Sequence, residues 1–73
     1  MFHIIEGAHV VTHSRGVYRQ SDVYRNNEGV IFAKHGAGFI KITRHGTSVP
    51  NIRVIEHDGF NPEYDKLGNM VVT

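Results

Sequence analysis

The pattern of apolar and polar positions along the chain predicts short β-strands separated by turns. The densest apolar stretch covers residues 30–43, where Val-Ile-Phe-Ala-Lys and Phe-Ile-Lys-Ile-Thr flank the tetrapeptide His-Gly-Ala-Gly. Apolar, aromatic and β-branched residues favour strands, and the glycines allow the positive φ angles of a tight reversal. We therefore predict a β-hairpin here and expect it to form the middle of the sheet. Alternation in its second arm places Ile40 and Ile42 on the face opposite to Phe39 and Lys41.

Further strands are predicted on both sides of this hairpin. Residues 2–5 and 8–13 indicate strands separated by a Glu-Gly pair, and residues 51–56 indicate another strand after the hairpin. Residues 17–25 contain the tripeptide Val-Tyr-Arg twice, six residues apart, with Gln-Ser-Asp between the copies. The even spacing places both tyrosines on the same side of one strand. Because Gln-Ser-Asp has weak strand propensity, we predict a bulge or a break at that point.

These elements predict an all-β fold, either a small antiparallel meander or a five-stranded SH3-like barrel. Residues 1–58 are predicted to form a single β domain, and residues 59–73 an acidic C-terminal tail. The tail also permits one short helical turn, with Asn61 as the N-cap, Pro62 as the first helical residue and Gly68 as the stop. Apolar residues at helical spacing over a longer stretch are missing from the sequence.

Composition places the chain among small proteins without covalent cross-links. Its 73 residues correspond to one small domain, and it has no cysteine for disulfides or thiolate–metal sites. The longest apolar runs fall far short of the ~20 residues that a membrane span needs. The N-terminus lacks the basic and continuous apolar regions of a secretory signal. We therefore expect a cytoplasmic protein of a prokaryotic type of cell, without membrane contact.

Charge is distributed unevenly although the formal net charge is only +1. Residues 1–55 carry seven lysines and arginines against three acidic side chains, whereas residues 56–73 carry one lysine against four acidic side chains. The sequence therefore predicts a basic body and an acidic tail, which would either shield the basic surface or contact a separate partner.

Six histidines are a high count for a chain of this length. Histidine is a common zinc ligand, but the chain contains neither a His-Glu-x-x-His motif nor a cysteine. The serines lie outside any Gly-x-Ser-x-Gly motif, and the spacing of the carboxylates marks no acid/base pair. The His-Gly-Ala-Gly tetrapeptide lacks the Lys-Ser/Thr of a phosphate-binding loop. We predict no enzymatic activity, no metal site and no cofactor.

Tyrosines next to arginines are the strongest candidates for a binding surface. Single-stranded nucleic acid is bound by cations that contact phosphates and by aromatic rings that stack on bases. Tyrosine and arginine are also favoured at protein interfaces, and the same pattern is typical of a solvated strand face, so three interpretations stay open. The predicted partner-binding residues are Tyr18, Arg19, Tyr24, Arg25, Lys41, Arg44 and Arg53.

Three segments of the chain resemble a group of small proteins encoded by bacteriophages. They are Gly-Val-Tyr-Arg-Gln at 16–20, Ala-Lys-His-Gly-Ala-Gly-Phe-Ile at 33–40 and Gly-Thr-Ser-Val-Pro at 46–50. The length also matches the small regulators with which lytic phages of Xanthomonas bind the RNA polymerase of their host. This resemblance implies a non-enzymatic protein that binds bacterial RNA polymerase in the cytoplasm of the infected cell.

The resemblance further implies the place and the consequence of binding. The contact is expected near the RNA exit region, at the amino-terminal part of the β′ subunit. At this position the protein could also contact nascent RNA. The expected effects are inhibition of transcription initiation and promotion of antitermination. The alternative expectation is a domain that binds RNA or single-stranded DNA directly.

Overall fold

The protein is all-β in a computed structural model that describes residues 1–72. Six of its strands form one antiparallel sheet in the order β5-β4-β3-β2-β1-β6, and the last two pair with each other. The predicted all-β fold is therefore confirmed. The strands are β1 (His3–Ser14), β2 (Val17–Arg25), β3 (Ile31–His35), β4 (Gly38–Thr43), β5 (Gly46–Thr47), β6 (Arg53–Asp58), β7 (Glu63–Tyr64) and β8 (Met70–Val71).

The large sheet curls until its two outermost strands approach each other, which gives a nearly closed barrel. The Thr47 hydroxyl on β5 donates a hydrogen bond of 2.8 Å to the carbonyl of Ile52, directly before β6. Closure of this kind protects edge strands that would otherwise pair with other chains. The structure thus selects the barrel-like alternative among the predicted all-β folds.

The barrel interior is filled by residues that alternate along the strands. Ile31 and Ala33 on β3 and Ile40 and Ile42 on β4 are buried, so the predicted hairpin and its alternation are confirmed. The hairpin supplies much of the core but lies to one side of the middle of the sheet, where β2 and β3 are adjacent. The expectation that it forms the middle therefore holds for β3, which is one of the two central strands, but not for β4. The other buried apolar residues are Ala8, Val10, Val23, Val30, Ile52 and Met70.

The irregularity predicted within residues 17–25 lies instead in the neighbouring strand. β2 is continuous, and β1 pairs Ile4 with Tyr24 but His9 with Asp22, so the extra residues are in β1. Gly7, with a φ of +76°, lies in this bulge. The prediction was wrong because the polar side chains in the middle of β2 are accommodated at the surface of a regular ladder, whereas the glycine allows β1 to bend.

Residues 59–72 are packed against the body of the protein. Met70 is 2% exposed in the core, and Val71 and Asn69 form bridges to Val30 and Thr43. Thr73, the last residue of the predicted tail, lies outside the described residues. The segment is continuous with the barrel and carries one of its buried side chains.

The helical turn predicted within this segment is wrong. Residues 63–71 form a tight hairpin of β7 and β8, which is closed by Asp65. One oxygen of its carboxylate accepts hydrogen bonds of 2.9 Å from the backbone amides of Leu67 and Asn69. These bonds satisfy the donors of a turn, and the hairpin brings Met70 into the core, which outweighs the weak capping signal of Asn61 and Pro62. Over residues 1–72 the structure contains no helix that is long and apolar enough to cross a membrane.

Candidate functional site

The outer face of β2, β3 and β4 carries aromatic and basic side chains. Phe32 and Lys34 alternate with the buried residues of β3, and Phe39 and Lys41 alternate with those of β4. Because strand side chains point alternately to opposite faces, burial of one set directs the other to the outside. The same pleat that forms the core therefore builds this surface.

Four aromatic rings meet on this face. Phe2 stacks on Phe39 with 4.2 Å between ring centroids, and it meets Phe32 edge-on at 4.8 Å. Tyr24 on β2 approaches Phe39 edge-on at 4.9 Å. Both geometries are favourable for aromatic pairs. We call Phe2, Tyr24, Phe32 and Phe39 the aromatic platform; three of its residues are partly buried, and Phe2 is 42% exposed.

Lysines border the aromatic platform. The Nζ atom of Lys34 lies 4.7 Å from the centroid of the Phe39 ring, at cation–π distance. Lys41 is the cross-strand neighbour of Phe32. Asp22 also lies on the outer face of β2, two residues from Tyr24, and it is a cross-strand partner of His9, as is Asp58 on β6. Rings and cations are thus combined on one part of the barrel surface.

Two of the sequence-predicted residues belong to a different cluster, at the other end of the outer face. Tyr18 is 66% exposed, and its ring lies 4.6 Å from that of His13. Arg53 on β6 is the cross-strand neighbour of His13 on its other side. We call Tyr18, His13 and Arg53 the Tyr18 cluster. Tyr18 and Tyr24 share one face of β2, as predicted, but opposite ends of the strand.

The remaining predicted residues lie elsewhere. Arg19 and Arg25 lie on the other side of β2 and line two different cavities at opposite ends of the strand. Arg44 lies in the turn after β4, with its guanidinium carbon 5.5 Å from the centroid of the Tyr64 ring. The structure therefore places Tyr24 and Lys41 on one surface and Tyr18 and Arg53 in a second cluster, and it separates Arg19, Arg25 and Arg44 from both.

Sequence reasoning missed most of the aromatic platform. It selected Tyr24 and Lys41 but not Phe2, Phe32 and Phe39. The signal was available, since alternation already placed Phe39 and Lys41 opposite the buried isoleucines. The phenylalanines were not selected because the pattern that identified the candidates was tyrosine next to arginine.

The histidines are spread over the surface. His9 and Asp22 form an ion pair with 3.8 Å between Nε2 and Oδ1 if the imidazole is protonated. Among residues 1–72, no group of three or more histidine, aspartate and glutamate side chains is arranged to hold a metal ion. The structure gives no geometric support for a zinc site in this part of the chain.

Comparisons with known proteins identify no relative whose residue roles could be transferred to this chain. No family model, no curated protein and no solved structure matches this chain. The chemistry of the two surface clusters is therefore the basis for assigning a function.

Proposed function

We propose that the protein binds single-stranded nucleic acid, with unpaired bases stacked on the aromatic platform. The observation that carries this proposal is the meeting of four aromatic rings and two lysines on one sheet face. Aromatic rings stack on bases of any sequence, and lysines neutralise the phosphates between them. The protein acts by binding and does not catalyse a reaction.

The dimensions of the platform fit a short stretch of strand. Neighbouring strands of a sheet lie about 4.8 Å apart, so a surface across β2, β3 and β4 is about 10 Å wide. Sheet surfaces with exposed aromatic residues accommodate about two or three stacked bases. In a duplex the bases are already stacked on one another, and their faces are inaccessible to the rings. The proposal therefore predicts a preference for single strands.

Packing alone is the competing explanation for the rings. Aromatic pairs contribute about 0.5–1.5 kcal/mol each beyond the area they bury, so the platform also stabilises the fold. Phe2 distinguishes the two roles because it precedes β1 and is 42% exposed. A ring needed only for packing would be more completely covered.

The test is titration of a fluorescently labelled single-stranded oligonucleotide of about 12 residues, monitored by anisotropy at low salt. We expect saturable binding that is at least tenfold weaker for the duplex of the same sequence. RNA and DNA are compared in parallel, since stacking accepts both. Absence of binding at low salt, or equal affinity for the duplex, would contradict the proposal.

A second candidate function is binding to bacterial RNA polymerase, and the Tyr18 cluster favours it. Its exposed tyrosine and its arginine, which lie on either side of His13, are residue types that often dominate binding energy at protein interfaces. Under this proposal the chain is a phage regulator that contacts the β′ subunit near the RNA exit region, inhibits initiation and promotes antitermination. Nascent RNA would then be the strand that reaches the aromatic platform.

Affinity capture from a bacterial lysate tests this second candidate. Immobilised protein should retain RNA polymerase after nuclease treatment, and the variant Tyr18→Ala should retain much less. The variant Phe2→Leu serves as the matched control, because it changes the aromatic platform and leaves the Tyr18 cluster intact. If no polymerase subunit is captured, or if capture disappears with nuclease, direct polymerase binding is rejected.

A further inference from the structure

A cavity at one end of the barrel, away from the aromatic platform, is a third surface feature. It has a volume of about 320 Å³ and opens between the β1–β2 turn and the β3–β4 turn. Its polar lining includes Arg15, Arg19 and His35, with Thr12 and Ser14 beside them. This volume is at the lower end of the range for small-ligand pockets. Two arginines and a histidine thus line one opening.

The cavity has no acidic lining to neutralise its arginines. Its residues include no aspartate or glutamate. Among residues 1–72, His9 and Asp22 form the single ion pair with a nitrogen–oxygen distance within 4 Å, and it includes neither arginine. Guanidinium groups bind oxyanions through paired N–H donors in a fixed geometry. An anion is therefore the ligand that matches this lining.

The backbone of Arg15 provides an independent observation. Arg15 has a φ of +53°, and it is the one non-glycine residue with positive φ among those described. It is followed by Gly16 at +77°, so both central residues of the β1–β2 turn have positive φ. Asparagine, aspartate and glycine are the residues that such turns prefer. An arginine here is held in a conformation that costs stability, of the kind that occurs at functional sites.

We propose that this cavity binds a phosphate group. The guanidinium groups of Arg15 and Arg19 bind its oxygens, and the imidazole of His35 lies at the same opening. The hydroxyl of Ser14 is a further donor, whereas the Thr12 hydroxyl already donates to the carbonyl of Arg19 at 3.4 Å. Two arginines at one site favour the doubly charged phosphate over a carboxylate.

The phosphate site goes beyond the proposed function, and it stands or fails separately. Neither arginine belongs to the aromatic platform, and the cavity is open to a free phosphate as well as to the terminal phosphate of a strand. Both sources present the same chemistry. The test therefore uses inorganic phosphate first, and then single strands with either a phosphate or a hydroxyl at the 5′ end.

The first measurement follows backbone amide resonances of the full chain during titration with inorganic phosphate at constant ionic strength. We expect saturable shifts at the β1–β2 and β3–β4 turns. The variant Arg15→Asn should bind phosphate at least about tenfold more weakly, because it removes a charged donor. Asparagine tolerates positive φ, so this variant should melt at the same or a higher temperature than the parent.

Three further variants test which residues bind the phosphate. Arg19→Gln should weaken phosphate binding in the same way, whereas Arg44→Gln removes an arginine outside the cavity and should leave it unchanged. Phe2→Leu should also bind phosphate normally, which separates this site from the platform. If the 5′-phosphorylated strand binds more tightly than the 5′-hydroxyl strand, the natural ligand of the cavity is the end of a strand. If the two strands bind equally, the natural ligand is free phosphate. Normal phosphate binding by Arg15→Asn, or equal weakening by Arg44→Gln, would overturn the proposal.

Discussion

Phe2 stacks on Phe39 with 4.2 Å between the ring centroids and 22° between the ring planes. This contact joins the residue before β1 to β4, which is separated from β1 in the sheet by β2 and β3. It extends the row of rings on the outer face of the barrel to the N-terminal segment. The partly exposed ring of Phe2 is consequently the member of the aromatic platform that a ligand reaches with the least change in the fold.

Replacement of this ring separates binding from stability. Phe2→Leu retains apolar area but loses the aromatic face, so we expect affinity for single strands to fall about 5- to 150-fold, corresponding to ~1–3 kcal/mol for one stacked base. The melting temperature should change by only a few degrees because Phe2 is 42% exposed. Anisotropy titration and thermal melts measure the two effects.

The matched control for this variant is Leu67→Ala. Leu67 is 87% exposed and lies in the β7–β8 turn, so its removal should change neither binding nor stability measurably. If Phe2→Leu binds like the parent while the melt is unchanged, Phe2 does not stack on bases.

Salt dependence tests the role of the lysines. If Lys34 and Lys41 each contact one phosphate, a plot of log affinity against log salt concentration should have a slope of about −1.4, because each contact with a single strand contributes about −0.7. Lys41→Gln should make the slope shallower by about 0.7. Lys66→Gln, in the β7–β8 turn, is the control and should leave the slope unchanged. Equal slopes for the parent and Lys41→Gln would exclude a phosphate contact by Lys41.

The strands were predictable because their patterns are local. Alternation within residues 30–43 defines both the hairpin and its buried face, and the turn residues at 26–29 define where β2 ends. The Glu-Gly pair at residues 6–7 indicated an interruption where the bulge lies, but the sequence did not show that both sides belong to one strand, since this depends on how β1 pairs with β2 and β6. Register is a property of pairs of strands and not of one segment.

The candidate site was predictable only in part for a similar reason. Tyr24 and Lys41 were selected from the sequence, but their proximity depends on the order of β2, β3 and β4. Arg19 and Arg25 follow tyrosines in the chain, and alternation turns them to the opposite side of the same strand. Phe2 reaches the platform through a contact between residues 37 positions apart, which no local pattern contains.

Acid should loosen the β7–β8 hairpin. The hydrogen bond from the backbone amide of Asn69 is the main cause that lowers the pKa of Asp65 below its ordinary value of 3.8. A carboxylate with a lowered pKa contributes stability that is complete above about pH 4 and is lost as the pH falls through the folded-state pKa. We therefore expect the melting temperature of the parent to fall as the pH is lowered below about 4.

The control is Asp65→Asn, whose side-chain oxygen still accepts a hydrogen bond but does not titrate in this range. Its melting temperature should fall less than that of the parent over the same pH interval. Identical pH profiles for the two proteins would show that Asp65 does not link this hairpin to pH.

A close backbone approach makes Gly59 sensitive to substitution. A Cβ atom on this residue would clash with the backbone of Gly7 and lie 3.0 Å from the Cα atom of Ala8, and its φ is +86°. We expect Gly59→Ala to lower the free energy of unfolding by about 2–4 kcal/mol, through overpacking and an unfavourable backbone conformation. Denaturant unfolding measures the change.

Gly36→Ala is the matched control for that substitution. Gly36 also has a positive φ, of +58°, but a Cβ atom there has no neighbour within 4 Å. Gly36→Ala should therefore lower the free energy of unfolding by only about 1–2 kcal/mol, from the backbone conformation alone. Equal losses for the two variants would mean that the approach of Gly59 to Gly7 carries no steric cost.

The most direct test of the central claim is an aromatic ¹³C–¹H spectrum of the protein during titration with a single-stranded oligonucleotide. The account predicts that the ring resonances of Phe2, Tyr24, Phe32 and Phe39 shift together and saturate, because stacked bases change their ring-current environment. The resonances of Tyr18 and Tyr64 should stay in place. Saturable shifts confined to Tyr18, or no ring shifts while the strand is bound, would contradict the assignment of the aromatic platform as the binding surface.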